Sequence, residues 1–564
     1  MTTRIKVRHD TASNWSTANP VLALGEPGFE IDTNRVKYGD GTTAWSSLHY
    51  TGAGANSNGS VYIGDQAGAS CGSSSAEDSI GIGYQAGRNC QSCGDIAIGY
   101  RAGECCQHYH AVAVGYYAGA NNQQADAVAI GRSAGSYTQG FGSVAVGQVS
   151  GECCQGTHAV AVGYAAGRYQ QGSHAVAVGT ASGRNCQSDE SVAVGYYAGY
   201  NCQGQGPWSS GGAVAIGNYA GECCQQYHAV AIGADAGSSC QEFSAVAIGR
   251  SAGNYHQGHG SVAVGKQAGC YQQYADAVAI GNFAGRYYQG CEAVAIGYNA
   301  GHCDQYCGSI AIGSYAGNCN QRCHSIAIGA NAGNCCQGYV AVAIGRSAGN
   351  CNQHSSAVAI GHIAGECCQG QGAVAVGSYS GRYDQGQYSV ALGHSAGRCG
   401  QDQYSVAVGY EAGQGYGYEQ VNYVSGDGAN TITVDNTNNI YPGMYIVSTS
   451  TGDPYTNGNV TVSSVSGNDI TFNQPMGNTD PITGYIGLVG RQGEGAVAIG
   501  AGAAYAAQHP HSIVISTSLF GANSAGANTT VIQTLRTVSG GSVPGGFSPV
   551  YYNNVTGELI VVTP

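Results

Sequence analysis

Charge is scarce in this chain. Only 9% of its 564 residues are Asp, Glu, Lys or Arg, the net charge is −13, and the 19 basic residues form no run. That argues against electrostatic capture of nucleic acid or an anionic membrane. No apolar run approaches the ~20 residues of a membrane-spanning helix, so no membrane insertion is expected. The first ten residues, "MTTRIKVRHD", lack the hydrophobic stretch of a signal peptide. Two recurrent sequence signatures of enzymes are missing too. There is no HExxH or P-loop, and "GIGYQAG" resembles a phosphate loop only through its glycines. The 16 His are scattered without a fixed Asp or Ser partner. Acidic residues do not recur in the paired register a glycan hydrolase needs. The lone "CQSC" at 90–93 has no second pair at zinc spacing. No catalytic residue, cofactor or metal is expected.

What is abundant is Gly (94 residues) and Tyr (40), against 11 Pro. The glycines follow a repeat. "AVAIG" or a near relative recurs 22 times, its Gly at 64, 83, 99 and then every 16 residues to 409, apart from a 22-residue step across "GQGPWSSG". Each unit reads [S/A/D]-[V/I]-[A/G]-[V/I/L]-G-x-x-[A/S]-G-x-x-x-Q-x-x-x, with "VYIG" as a frayed first copy. Gln stands eight after the Gly in 20 consecutive units, Gln91 to Gln401.

Alternation such as Val278-Ala279-Ile280 is strand periodicity, and two glycines per unit permit bends. One unit therefore predicts one coil of a parallel β-solenoid. Burying one Val and one Ile yields roughly 3–6 kcal/mol, while ordering sixteen residues costs on the order of 16–30 kcal/mol. A coil stands only when stacked. At ~4.8 Å per coil, 22 coils would make a rod about 100 Å long. The two aliphatics are expected to face inward and the Ala between them outward.

The 24 cysteines run from Cys71 to Cys399, in strings such as "GECCQ" at 151–155. They fall into columns. Cys303, Cys319, Cys335, Cys351 and Cys367 stand six after the Gly; Cys186, Cys202, Cys224 and Cys240 stand seven after it; Cys291, Cys307 and Cys323 stand ten after it. Stacking brings column neighbours to about 4.8 Å, within disulfide range, so the first two columns are candidate disulfide ladders. The alternative is free Cys acting as a small buried hydrophobe. Tyr255, Tyr271 and Tyr287 share the first column, so the site accepts bulk. The Gln column, here Gln257, Gln273, Gln289, Gln305 and Gln321, is a candidate amide ladder; the alternative is a solvated corner residue.

Two stretches resemble known families. "SVAVGYYAG" and "AVAIGRSAG" look like the head repeats of YadA-like trimeric autotransporter adhesins, over residues 60–413. That resemblance implies an all-β, left-handed parallel β-roll built as a homotrimer. The period here is a little longer, and neither a secretory signal nor a membrane anchor is seen. Residues Leu22–Tyr50 read as a small β-meander around turns. They resemble the N-terminal motif of phage tail-fibre and receptor-binding proteins at Gly25, Glu26, Gly28, Asp32, Thr33, Lys37, Gly39, Asp40, Gly41, Trp45 and Leu48. That implies a virion structural protein with this end near the particle. Gly39-Asp40-Gly41 offers too few ligands for calcium and reads as a turn.

The organisation expected is an attachment motif over 1–52, a solenoid over 60–413, an inserted β-domain over 414–492, resumed coils over 493–520 and a tail over 521–564 with a hairpin around Asn554–Gly557. In the resumed coils "GAVAIG" and "HSIVIS" put Ser516 in the Gly place. The functional expectation is a trimeric viral or phage fibre, virion-borne and extracellular, that presents a distal region to a host-surface glycan or protein. Either the protein acts inside the cell or it leaves by a route that needs no signal, of which virion assembly followed by lysis is one. The receptor-binding residues stay unassigned. The alternatives are a cellular adhesin or fibre subunit, and a fibre-borne glycan hydrolase.

Overall fold

Each sixteen-residue unit forms one coil with two short strands, joined by bends that use backbone angles most side chains avoid. In the coil around Gly329, the glycine has φ +126, and Asn331, Gly333, Cys336 and Val340 have φ between +51 and +57. The structure, a computed structural model, describes residues 6–33, 35–48, 50, 59–69, 77–206, 211–415, 419–426, 431–434, 445–449, 462–472, 485–489, 492–504, 508, 510–516, 530–532, 550–552 and 559–561. Cys71 and the expected turn at Asn554–Gly557 lie outside these. The strands flanking that turn, Val550–Tyr552 and Leu559–Val561, pair antiparallel.

The chain divides into two compact units, 1–283 and 284–564. In the first, fourteen three-residue strands of the Val-Ala-Ile type run from Val61–Ile63 to Val278–Ile280. In the second, eleven run from Val294–Ile296 to Thr530–Ile532. Among the described residues, neighbouring strands of this ladder are parallel and in register, Val128 opposite Val144 and Ile310 opposite Ile326. A second ladder, Cys-x-Gln in type, runs down the other side of the coils: Tyr137 lies opposite Cys153 and Gln139 opposite Gln155. The fold is an all-β solenoid of sixteen-residue coils.

The direction of the Val-Ala-Ile strand is the reverse of the one read from sequence. Ala295, Ala311, Ala327 and Ala343 are fully buried, while Ile296, Ile312 and Ile344 are exposed. Ala300, Ala316, Ala332 and Ala348, three after each Gly, are buried as well. The reason is volume. A coil of sixteen residues with this many bends encloses room for Ala side chains and one Gln. A Val or Ile pointing inward would overpack it. The aliphatics therefore cover the outside of the sheet.

In the second unit the coils are interrupted. Six strands, Glu419–Gly426, Thr431–Val434, Tyr445–Thr449, Val462–Ser466, Asp469–Phe472 and Tyr485–Val489, form an antiparallel sheet. The solenoid then resumes directly, with Val406 opposite Val497 and Ala407 opposite Ala498. Ile513–Ile515 follows in register with Val497–Ile499.

The N-terminal segment is more than a meander. Pro27–Glu30 pairs antiparallel with Arg35–Tyr38, and Arg8–Asp10 adds in parallel. A helix, Ala12–Ala18, absent from the sequence reading, is capped by the Thr11 side chain, which accepts from the Asn14 amide. The helix delivers Trp15, whose ring stacks on Trp45 at 4.0 Å. Leu22 and Leu48 complete this core.

Candidate functional site

In the N-terminal module, the residues of the tail-fibre-like motif hold the module together. Gly28 lies under Trp45, and a Cβ there would come within 2.4 Å of the ring. Lys37 is buried, and its ammonium donates to the Trp45 carbonyl at 2.7 Å. It sits 4.3 Å from the Tyr50 ring centroid. Burial lowers the Lys37 pKa and raises that of Tyr50 to about 12. Glu30, also buried, accepts from the Tyr50 hydroxyl at 2.7 Å and from Thr33. Asp32 accepts from the Ala12 amide at 2.8 Å. Asp40 accepts from the Thr42 and Thr43 amides at 2.9 and 2.7 Å and from the Thr43 hydroxyl at 2.5 Å. Those bonds, led by the Thr43 hydroxyl, hold its carboxyl well below the usual range and lock the turn. The sheet's other face is open and apolar. Val7, Phe29, Ile31, Val36 and Tyr38 line a shallow depression of about 500 Å³.

The Gln column lies inside the coils. Gln257, Gln273, Gln289, Gln305 and Gln321 are all fully buried. Each spans the interior from one strand to the other. The Gln305 amide nitrogen donates to the Val294 carbonyl at 2.8 Å, the Ser309 carbonyl at 3.3 Å and the Gln321 Oε1 at 3.2 Å. Gln289 donates in turn to the Gln305 Oε1 at 3.2 Å. Gln257 donates to the Gln273 Oε1 at 3.3 Å, and Gln321 to the Ile310 carbonyl at 2.7 Å. Inward-pointing backbone carbonyls thus find donors, and the amides link coil to coil.

The cysteines stand beside this column, on the outer side of the coil. Cys303, Cys319, Cys335, Cys351 and Cys367 are consecutive register partners, each half-buried. Burial, and then the neighbouring Cys303, push the Cys319 thiol up to about 11; burial raises Cys303, Cys335, Cys351 and Cys367 too. Little thiolate forms at neutral pH, so these thiols are slow nucleophiles. Cys186, Cys202, Cys224 and Cys240 occupy the left-handed middle position, with φ of 52 to 53. Cys202, Cys224 and Cys240 are exposed and Cys186 is half-buried, its thiol donating to Gln170 Oε1 at 3.1 Å. Cys291 and Cys323 are half-buried and Cys307 exposed. No disulfide joins any of the described cysteines. In the first column Tyr255 stacks on Tyr271 at 5.0 Å, and Tyr287 meets His302 edge-on at 5.3 Å.

One buried acid departs from the repeat. Asp95 takes the place that Ser79 and Ala111 fill in adjoining coils and is fully buried. Its carboxyl accepts from the Ala111 amide at 2.9 Å and the Ser92 amide at 2.6 Å. Burial outweighs these bonds and raises its pKa from 3.8 to about 7. The folded coil therefore prefers the protonated acid. Its stabilising share is complete below pH ~4 and is lost as pH rises through about 7. The difference amounts to up to about 4 kcal/mol of local stability. Amide exchange at Ile96 and Val112, corrected for intrinsic rates, is expected to be better protected at pH 5 than at pH 8. Asp95→Ser is expected to remove that difference.

Residues 5–43 match the family model of the major tropism determinant N-terminal domain, which belongs to a phage tail-fibre protein. The match covers the motif from Gly25 to Gly41, and Trp45 and Leu48 lie just beyond it. No curated protein and no solved structure matches the chain. Nothing in these comparisons speaks specifically for the adhesin head repeat; the coils rest on their own geometry.

Proposed function

We propose that this chain is the subunit of a phage tail fibre, mounted on the particle by its N-terminal module and carrying a homotrimeric solenoid that meets the host surface. The observation that carries the reading is the family match over residues 5–43. The open apolar face of the same module offers a surface for a virion component. The trimer is supported by the outward strip of aliphatics. Ile296, Ile312, Ile344, Ile360 and Leu392 are all exposed along one ladder. A repeating apolar strip of this kind marks an interaction surface, and further copies of the same chain repeat it in matching register. Adjacent thiols of the Cys303–Cys367 column would close into bridges in the oxidising conditions outside cells.

Gold-labelled antibody against residues 6–33, viewed on purified particles by electron microscopy, is expected to label the fibre's particle-proximal end. Light scattering of the purified chain is expected to give three times the 57.1 kDa chain mass. Labelling at the distal tip would overturn the mounting. A stable monomer would overturn the trimer.

A further inference from the structure

On the Cys-x-Gln side of the second unit, away from the aliphatic strip, three successive coils form a cleft of about 340 Å³. Its shape comes from one missing side chain. Arg322, Gly338 and His354 occupy the same place, nine after the Gly, in consecutive coils. Gly338 leaves a gap between the Arg and the His. The gap is enforced, since a Cβ there would come within 2.4 Å of the Ser355 nitrogen and 2.5 Å of the His354 carbonyl carbon. Asn320 and Asn352 flank the gap, and Tyr339 walls it. None of the lining residues is acidic, in a chain whose net charge is −13.

The Arg322 guanidinium is pre-positioned. It lies 5.5 Å from the ring centroids of both Tyr306 and Tyr339, and its Nη1 donates to the Tyr339 hydroxyl at 3.4 Å. No carboxylate pairs with it among the described residues. A guanidinium held in this way presents a planar fork suited to a carboxylate. Two asparagine amides supply donors and acceptors together, which suits hydroxyl groups better than a bare anion. The exposed Tyr339 ring offers an apolar surface with a polar tip. The volume lies at the small end of ligand sites.

We propose that this cleft binds one carboxylate-bearing sugar unit, such as a uronic acid within a surface polysaccharide. Arg322 takes the carboxylate, Asn320 and Asn352 the hydroxyls, and Tyr339 the sugar face, with His354 closing the far side. The proposal rests on the reading that the solenoid meets a host surface, and it names the chemistry of that contact.

The test is saturation-transfer NMR and calorimetry on the full-length protein, with a glucuronate-containing oligosaccharide, its carboxyl-reduced neutral analogue, a short poly-glutamate peptide and inorganic phosphate as probes. The uronate oligosaccharide is expected to bind and the neutral analogue to bind at least about tenfold more weakly, the scale of one charge-assisted pair. Arg322→Gln is expected to abolish that preference. Tyr339→Ala is expected to weaken the sugar. Both sites are exposed, and an unchanged circular dichroism spectrum establishes folding. Equal binding of the neutral analogue, tighter binding of the peptide, binding of phosphate alone, or no binding would each overturn the proposal. Labelled particles test the fibre reading separately, so a fibre that mounts correctly but ignores uronates defeats this inference alone.

Discussion

Gly329→Val is expected to unfold the coils around it, at a cost above about 4 kcal/mol, the range reserved for a named structural conflict. Two effects combine. The backbone there has φ +126, a region closed to β-branched side chains. A Cβ would also come within 2.6 Å of the Gly345 carbonyl oxygen and 2.7 Å of its carbon in the next coil. Both are backbone atoms, so no side-chain rotation relieves the contact. Positive φ alone does not set the demand, because Val340 and Ile363 take φ of 56 and 60 in the same solenoid. Ser347→Ala, at φ 56, is therefore the control and is expected to change local stability by less than about 0.5 kcal/mol. Limited proteolysis with mass mapping reads both. New cleavage confined to residues near 313–361 is the expected pattern, since solenoid stability is shared between neighbours.

Much of this architecture was legible in the sequence. The sixteen-residue step gave the coil, the Val-x-Ile alternation its strand, and the return of "GAVAIG" after 492 the insertion. The inward face was not legible, for a physical reason. In Val-Ala-Ile both alternating sets are apolar, and a period of two cannot say which set is buried. Taking the larger residues as core put Ala outside. The invariant Gln held the missing signal: a side chain kept in 20 consecutive coils beside two glycines marks a closely packed polar interior. Gly333 shows the link, since a Cβ there would meet the Gln337 Oε1 at 2.8 Å. The left-handed bends were hidden because Tyr, Cys and Ile occupy them, none of which announces positive φ. In the N-terminal module, the ordered motif from Gly25 to Leu48 was readable, but Trp15 and its helix were not. That helix is only seven residues long and places a single residue, Trp15, in the core. The cleft beside Arg322 was invisible for a similar reason: it depends on what Gly338 lacks between two coils that are neighbours only in space.

The interior amide makes a second large effect testable. Gln305→Leu keeps the approximate volume and removes every polar contact. The Val294 and Ser309 carbonyls and the Gln321 Oε1 lose a donor, and the Gln289 amide nitrogen loses an acceptor. A buried group left without its partner costs roughly 1–3 kcal/mol. Several are affected at once, and some keep a second bond, so the expected loss is about 3 kcal/mol. The loss should be local. Amides of the coils holding Gln289, Gln305 and Gln321 should exchange faster, while those near Gln123 in the other unit should not change. Gln305→Glu separates polarity from charge. The carboxylate keeps the shape but has no N–H for the carbonyls, and burial raises its folded pKa above the ordinary ~4.3. Its penalty should therefore be smallest at acid pH and grow as pH rises through that raised value, the opposite of a surface glutamate held by a cation. If Gln305→Leu exchanges at the wild-type rate, the amide column is a filler of space and the coils are held by their backbone ladders alone.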